Sequence, residues 1–151
     1  VENYISALTD SYVFYSAPRY DAKGKQLLKT GQKLYLADVG LRNVINGTKG
    51  GDLGHILENV VYLELTRRGG EGYAGKTGNA EIDFVVVKGN DKVYYQVSLS
   101  VRDEGTLKRE LDPLESLSDN YPKYLLTMDN DPVIQHDGIK QLYVLDWLLE
   151  E

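Results

Sequence analysis

Hydrophobic and polar residues alternate most clearly over residues 81–101, whose sequence is EIDFVVVKGNDKVYYQVSLSV. Alternation at every second position is typical of β-strands, and here it predicts two strands, 81–87 and 92–101. Gly89 and Asn90 lie between them and tolerate the positive φ that a tight hairpin turn requires. The pattern therefore predicts a β-hairpin. Its apolar face would carry Ile82, Phe84, Val86, Val93, Tyr95, Val97 and Leu99.

A turn at Gly89 and Asn90 also predicts which side chains of the hairpin face each other. Asp83 would lie opposite Gln96, and Glu81 would lie opposite Ser98. Directly opposed residues of an antiparallel pair have Cβ atoms about 5 Å apart. Carboxylates and an amide gathered at one end of a hairpin indicate a functional site rather than a plain core element.

The clearest helix is predicted over residues 53–68. Its apolar residues recur at helical spacing and comprise Leu53, Ile56, Leu57, Val60, Val61 and Leu65. Asp52 is the expected N-cap, and Gly69 is expected to end the helix. Glu58 and Glu64 lie among the apolar positions. A helix Glu is usually solvated, and the alternative is that one of these two points into a site.

Shorter patterns predict the remaining elements. Upstream these are a helix passing into a strand over 1–15, two extended segments around a polar turn at 20–25, a short helix from Asp38 and a loop at 47–51. Downstream they are a short strand at 73–74, a helix capped by Thr106, a second helix restarting at Asp112 and Pro113, strands at 124–127 and 139–144, and a closing helix from Asp146. This order predicts an α/β fold in which helices flank a mixed sheet.

A helix followed by a hairpin with a basic tip resembles the last helix and the wing of a winged helix-turn-helix. Under this interpretation Lys23, Lys25 and Lys33 contact nucleic acid, together with Arg19 and Lys29. The alternative is a β-hairpin that covers one edge of the domain.

Length, net charge and the absence of cysteine limit the kinds of protein and binding partner that fit this sequence. A chain of 151 residues is expected to form one domain or one domain with part of another. Its net charge of −6 does not favour non-specific attraction to nucleic acid. The absence of cysteine excludes disulfides and thiolate metal sites and fits a cytoplasmic protein. No apolar run is long enough for a membrane helix, and a chain that opens at Val1 without Met is expected to be a piece of a longer protein.

Residues 70–77, GEGYAGKT, match the phosphate-loop pattern G-x-x-x-x-G-K-[ST]. That loop works only between a strand and a following helix, whose N-terminus faces the phosphates. Here a predicted helix precedes the motif and a predicted strand follows it. We therefore predict no nucleotide-binding site and interpret the stretch as a Gly-rich turn.

Glu58 on a helix, Asp83 on a strand and QVS at 96–98 on the next strand resemble the PD-(D/E)XK nuclease superfamily. The resemblance implies a restriction-endonuclease-like fold with catalytic positions at Glu58, Asp83, Gln96 and Ser98. It also implies Glu58 and Asp83 as ligands of Mg²⁺, the one cofactor considered for this chain, since hard oxygen donors suit that ion.

Two positions depart from the motif of that superfamily. Gln96 replaces a carboxylate, and Ser98 replaces the Lys that would stabilise charge on the attacked phosphate. Lys76 and Lys123 are the candidates for a replacement cation. We interpret Gln96 and Ser98 as a hydrogen-bonded pair in a degenerate site, and we expect catalysis to be absent or very weak.

Several segments in order are similar to one family of prokaryotic AAA-type ATPases: KLYLADVGLR (33–42), GHILENVVYLELTRR (54–68), EIDF (81–84), QVS (96–98), KREL (108–111), YPKY (121–124) and DGIK (137–140). The resemblance implies a winged-helix tail at 1–38 and a nuclease-like domain at 39–151, with the ATPase domain lying upstream in the same protein. Three functions follow as hypotheses: a module that binds DNA or a protein partner and regulates the ATPase, a Mg²⁺-dependent nuclease, or an oligomerisation domain. The oligomeric state stays open.

Overall fold

The structure, a computed structural model, describes residues 2–46 and 53–150. The N-cap expected at Asp52 and the loop expected at 47–51 lie outside these ranges. The elements are α1 (Glu2–Asp10), β1 (Phe14–Asp21), β2 (Gln26–Leu36), α2 (Val39–Asn46), α3 (Leu53–Arg67), β3 (Glu71–Thr77), β4 (Ala80–Lys88), β5 (Asp91–Ser98), α4 (Glu104–Glu115), β6 (Lys123–Thr127), β7 (Ile134–His136), β8 (Ile139–Tyr143) and α5 (Val144–Leu149).

The described strands form one eight-stranded sheet in the order β2-β1-β3-β4-β5-β6-β8-β7. Parallel pairs join β1 to β3, β5 to β6 and β6 to β8, and the other pairs are antiparallel. Leu57 and Val61 of α3 share one apolar cluster with Trp147 of α5, while Leu111 and Leu114 of α4 belong to a second cluster. The predicted α/β fold with helices flanking a mixed sheet is confirmed. None of the helices in the described ranges is long and apolar enough to cross a lipid bilayer.

The hairpin β1–β2 belongs to this same sheet. Arg19, Tyr20 and Asp21 of β1 pair in parallel with residues 74–76 of β3, and β2 is the outermost strand. The ranges 1–38 and 39–151 are therefore continuous through one layer of strands. The hairpin does cover an edge of the domain, and its interpretation as the wing of a winged helix stays a prediction.

The central hairpin follows the predicted register near its turn. Lys88 pairs with Asp91 and Val85 with Tyr94, while Gly89 takes a φ of +64°. Further from the turn, β4 carries one extra residue opposite β3, because Val85 pairs with Tyr73 and Ile82 pairs with Gly75.

This bulge changes which face Ile82 occupies. Ile82 packs with Val85 in the cluster beneath α4, whereas Phe84 packs with the residues of α3. The prediction that Ile82 shares a face with Phe84 is wrong, because a bulge breaks the two-residue period of a strand.

The phosphate-loop-like stretch forms strand β3, so the predicted Gly-rich turn is wrong. Gly75 allows β3 to approach β4 closely at the bulge. A Cβ added there would lie 2.8 Å from Val85 Cγ2 and 2.9 Å from Ile82 Cβ, closer than packed carbon atoms approach each other. The glycine therefore serves sheet packing at this position.

Helix α4 is one element where two were predicted. It begins at Glu104, because Asp103 rather than Thr106 is the N-cap and accepts a 2.8 Å hydrogen bond from Thr106 N. Pro113 is buried in the last turn, and the helix continues through it although the residue lacks a backbone N–H donor. Strand β7, which has three residues, was not predicted, because it is too short to show a period.

Candidate functional site

The four predicted catalytic residues, Glu58, Asp83, Gln96 and Ser98, line one cleft of about 540 Å³. Helix α3 supplies Glu58, strand β4 supplies Asp83, and strand β5 supplies the other two. The predicted proximity of the helix glutamate to the hairpin is confirmed. Thr106, Arg109 and Glu110 of α4 line the same cleft.

Asp83 and Gln96 are neighbours as predicted, but a hydrogen bond from the Asp83 backbone to the Gln96 side chain joins them rather than strand pairing. The paired residues of β4 and β5 end at Phe84 and Tyr95. Beyond them, Asp83 N donates to Gln96 Oε1 at 3.3 Å, and Asp83 Oδ2 accepts a 2.9 Å hydrogen bond from Val97 N. Side chains thus replace the strand ladder at this end of the hairpin and hold the Asp83 carboxylate in place.

Glu110 is a site residue that the sequence interpretation missed. Gln96 Nε2 donates to Glu110 Oε2 at 2.8 Å, and Arg109 donates to the other carboxylate oxygen at 2.9 Å. Glu110 comes three residues after Leu107 and four before Leu114, so it lies on the core-facing side of α4. An acidic residue among the apolar positions of this helix is the sequence signal by which Glu110 could have been predicted.

Lys33 also belongs to this site rather than to an exposed basic hairpin. Its Nζ lies 3.1 Å from Glu58 Oε1, 3.8 Å from Asp83 Oδ1 and 3.9 Å from Glu81 Oε2. The Lys33 side chain is 26% exposed, and those of Glu58 and Asp83 are 15% exposed. The structure therefore places this ammonium among carboxylates and separates its role from that of Lys23 and Lys25.

Within the described part of the chain, neither Lys76 nor Lys123 pairs with these acids. Lys123 Nζ donates to the backbone carbonyls of Leu117 and Asp119 at 3.2 and 3.0 Å. Lys76 is exposed on β3. Among the described residues, the lysine whose ammonium contacts Glu58 and Asp83 is Lys33, which reaches the site from the edge strand β2.

Glu58 is held by further donors. Tyr35 OH donates to Glu58 Oε1 at 2.6 Å, and His55 Nδ1 lies 3.7 Å from Glu58 Oε2. The Tyr35 ring stacks on Tyr62 with centroids 4.1 Å apart. Burial, and then the charge of Glu58, raises the pKa of Tyr35 far above its ordinary value, so its hydroxyl remains a donor. Tyr35 therefore adds a second donor to the carboxylate oxygen that Lys33 contacts.

Glu81 forms the outer part of the charged cluster. Arg19 of β1 donates to Glu81 Oε1 at 2.7 Å, while Lys33 approaches Glu81 Oε2. Both side chains of the Arg19–Glu81 pair are more exposed than Glu58 and Asp83. Arg19, one of the predicted wing residues, thus joins the hairpin β1–β2 to β4.

The cluster alters the proton affinity of its members. Burial raises the pKa of Asp83 to about 7, the charge of Glu58 adds to the rise, and Lys33 opposes it. Burial lowers the pKa of Lys33, but the attraction of Glu58, Asp83 and Glu81 outweighs it and leaves that pKa raised. The site therefore holds a charged ammonium beside an Asp83 that takes up a proton far more readily than an exposed aspartate.

The residues at the predicted Mg²⁺ site do not fit that ion as they are arranged. Within residues 2–46 and 53–150, no group of three or more histidine or acidic side chains is placed to hold a metal. Glu58 and Asp83 contact an ammonium, and the Gln96 amide oxygen faces the Asp83 N–H. A metal bound between these residues would have to displace Lys33.

Ser98 lines the cleft but bonds to another residue, and the basic turn borders a different hollow. Ser98 Oγ donates to Ser100 O at 3.3 Å, so the predicted Gln96–Ser98 pair is not formed. Lys23 and Lys25 are exposed and border a separate hollow of about 480 Å³ that Ser118 and Asp119 also line. The predicted nucleic-acid residues are thus divided between two parts of the molecule.

Comparison with known proteins identifies relatives without a described activity. A family described as a domain of unknown function (DUF8612) matches residues 1–52, which include β1, β2 and Lys33. An uncharacterized protein of Haemophilus influenzae is 38% identical over 150 residues. The match covers 99% of this chain and 37% of the relative, so the chain spans little more than a third of that protein's length. No solved structure matches the chain.

Proposed function

We propose that this chain is a binding or regulatory module of a cytoplasmic AAA-type ATPase, built on a nuclease-like sheet whose catalytic site is inactive. The observation that carries the proposal is the position of Lys33, whose ammonium contacts Glu58 and Asp83. These are the two residues that a metal-dependent nuclease of this motif would use to hold its ion. The resemblance of the ordered sequence segments to ATPases of this type supports the wider context.

The chemistry of the site supports the loss of catalysis. Hydrolysis of a phosphodiester needs charge stabilisation where negative charge develops, and one lost electrostatic donor costs about 3–4 kcal/mol of transition-state stabilisation. The motif carboxylate is the amide Gln96, and Glu110 engages its NH₂ group. The motif Lys is Ser98, whose hydroxyl bonds to a nearby carbonyl.

The experiment is a cleavage assay on single- and double-stranded DNA and RNA with Mg²⁺ or Mn²⁺. We expect no cleavage above that of Asp83→Ala, in which the remaining strand carboxylate of the motif is removed. Metal-dependent cleavage by the wild type that disappears in Asp83→Ala would overturn the proposal.

Lys33 also favours one alternative, a Mg²⁺-dependent nuclease with a rearranged site. In a rearranged nuclease, the Lys33 ammonium on β2 would supply the positive charge that the motif Lys, replaced here by Ser98, would otherwise supply. A Lys33→Arg variant distinguishes the two, because a nuclease that uses this cation would change its cleavage rate, whereas an inactive site has no rate to change.

The nucleic acid that such a module would bind is expected at the exposed basic turn. Lys23 and Lys25 are exposed there, and neutralised phosphates release counterions, so binding should weaken as salt rises. We expect the double reversal Lys23→Glu, Lys25→Glu to abolish weak duplex binding measured by fluorescence anisotropy, and Asp83→Asn to leave it unchanged. The matched control reverses Lys108 and Lys140, which are exposed elsewhere. Equal loss in the control pair would show that net charge alone decides binding.

A further inference from the structure

We propose that Lys33 is a built-in counter-ion that takes the place of a divalent cation beside Glu58 and Asp83 and fastens the hairpin β1–β2 to α3 and β4 without metal. This inference rests on the proposed function, in which the site is not catalytic, and it assigns a structural role to Glu58 and Asp83. These acids provide the negative charges of the ion pairs that hold β1–β2 against α3 and β4.

Three carboxylates converge on the ammonium of Lys33. Glu58 comes from α3, while Glu81 and Asp83 come from β4, and all three have an oxygen within 4 Å of Lys33 Nζ. Mg²⁺ requires oxygen ligands at about 2.0–2.1 Å, whereas these oxygens lie 3.1 to 3.9 Å from the nitrogen. The distances are those of ion pairs between an ammonium and carboxylates.

Burial makes a compensating charge necessary beside Glu58 and Asp83. Glu58 and Asp83 are mostly withdrawn from water, and buried carboxylates require a partner charge or a proton. A buried ion pair that loses one partner leaves an uncompensated charge, which is strongly destabilising. Lys33 supplies the compensating charge from within the chain, so the folded protein needs no metal to neutralise these acids.

Lys33 is one of several neighbouring residues through which β2 contacts α3. Tyr35, two residues further along the same strand, donates to Glu58. Leu36 N donates to Asn59 Oδ1, and Asn59 Nδ2 donates to Leu36 O, both at 2.8 Å. Glu58 is therefore adjacent to Asn59 on the turn of α3 that already bonds to β2. The Lys33–Glu58 ion pair is thus one of several contacts that hold β2 against α3.

The test measures thermal unfolding of the chain with Mn²⁺ from micromolar to millimolar concentration. We expect the Tm of the wild type and of Lys33→Arg to be independent of Mn²⁺. Lys33→Met should have a lower Tm without metal, and its Tm should rise with the logarithm of Mn²⁺ concentration. The rise should reach about 5–11 °C at a hundred times the dissociation constant. Asp83→Asn in the Lys33→Met background should remove this response.

The matched control is Lys29→Met, which removes an exposed lysine from the same strand and should leave both the Tm and its metal response unchanged. Two results would overturn the proposal. A wild-type Tm that rises with Mn²⁺ as steeply as that of Lys33→Met would show that Lys33 does not exclude the ion. A Lys33→Met variant that folds and ignores Mn²⁺ would show that the ammonium does not occupy a cation position.

A second measurement does not depend on a folded variant. Brief labelling of the wild type with an amine-reactive reagent, read by mass spectrometry, should modify Lys33 at least tenfold more slowly than Lys23 or Lys25. Millimolar Mn²⁺ should not change the rate at Lys33. Acceleration at Lys33 alone would mean that the metal expels the ammonium, and the proposal would fail.

These results are separable from a failure of the proposed function. Mn²⁺ binding to the wild type without cleavage of any nucleic acid overturns the counter-ion proposal and leaves the inactive module standing. Cleavage that requires Mn²⁺ and Asp83 overturns the inactive module itself.

Discussion

Gln96 Nε2 donates a hydrogen bond to Glu110 Oε2 at 2.8 Å, and both side chains are buried. A carboxamide can donate to a carboxylate, whereas an ionised carboxylate only accepts. The amide at position 96 is therefore matched to the acid on α4. This relationship explains why a residue that departs from the nuclease motif is well accommodated in the cleft.

Restoring the motif with Gln96→Glu should destabilise the fold by about 2–3 kcal/mol at pH 8, because two buried carboxylates would face each other. Like charges raise the pKa of the pair, so the lost stability should return as the pH falls toward 5. Urea denaturation at both pH values measures this change. The control Gln135→Glu adds the same charge at an exposed position of β7 and should have little effect. An equal loss in both variants, or a gain of metal-dependent cleavage by Gln96→Glu, would contradict the prediction.

Asp83 should make the stability of the protein depend on pH. Burial first, and then Glu58, raises its pKa from 3.8 to about 7, so folding favours the protonated acid. A raised pKa contributes stability that is fully present below about pH 4 and is lost as the pH rises through 7. The difference corresponds to on the order of 4 kcal/mol.

Asp83→Asn should therefore flatten the fall in unfolding free energy between pH 4 and pH 7, as measured by urea titrations at half-unit intervals. Asp137→Asn is the matched control, because Asp137 is exposed in a turn where Asn tolerates its positive φ. The prediction fails if the pH dependence of Asp83→Asn equals that of the control.

Tyr35→Phe should cost more stability than Tyr62→Phe, although the two rings stack on each other. Tyr35 OH donates to the Glu58 carboxylate at 2.6 Å, and Tyr62 OH donates to the Ser16 carbonyl at 3.2 Å. Hydrogen bonds to charged groups contribute about 1.5–3 kcal/mol and neutral ones about 0.5–1.5. Chemical denaturation of both variants gives the comparison. An equal or larger loss for Tyr62→Phe would contradict the orienting role of Tyr35.

Gly75→Ala should destabilise the protein by about 1–3 kcal/mol, because the new methyl group would meet Val85 and Ile82 inside the sheet. Gly54→Ala is the opposite case. A Cβ at Gly54 meets nothing within 4 Å, and Ala favours helix over Gly, so the stability of α3 should rise by up to about 1 kcal/mol. Thermal unfolding of the two variants should shift Tm in opposite directions. A stabilising Gly75→Ala would show that β3 and β4 can separate at no cost.

Local patterns of the sequence were sufficient for the elements on which the cleft is built. The bounds of α3 follow from its apolar stripe and from Gly69, and the register of β4 with β5 near the turn follows from Gly89 and Asn90. These features depend on residues close together in the chain, whose periods and turn preferences are visible without a partner. The expected proximity of Glu58 to Asp83 and Gln96 came instead from the resemblance to the nuclease superfamily, because no local pattern places the helix against the hairpin.

The sequence by itself thus determined the helix, the hairpin and the acids that they bring to one cleft. The tertiary structure alone decided what neutralises those acids. Lys33 and Glu58 are 25 residues apart, and Gln96 and Glu110 are 14 apart on different elements. Their meeting depends on β1–β2 joining the sheet beside β3 and on α4 packing across β5. The bulge in β4 likewise arises from the fit of β3 to β4. Periodicity reports which face a side chain occupies, but packing between distant segments decides which charges it meets.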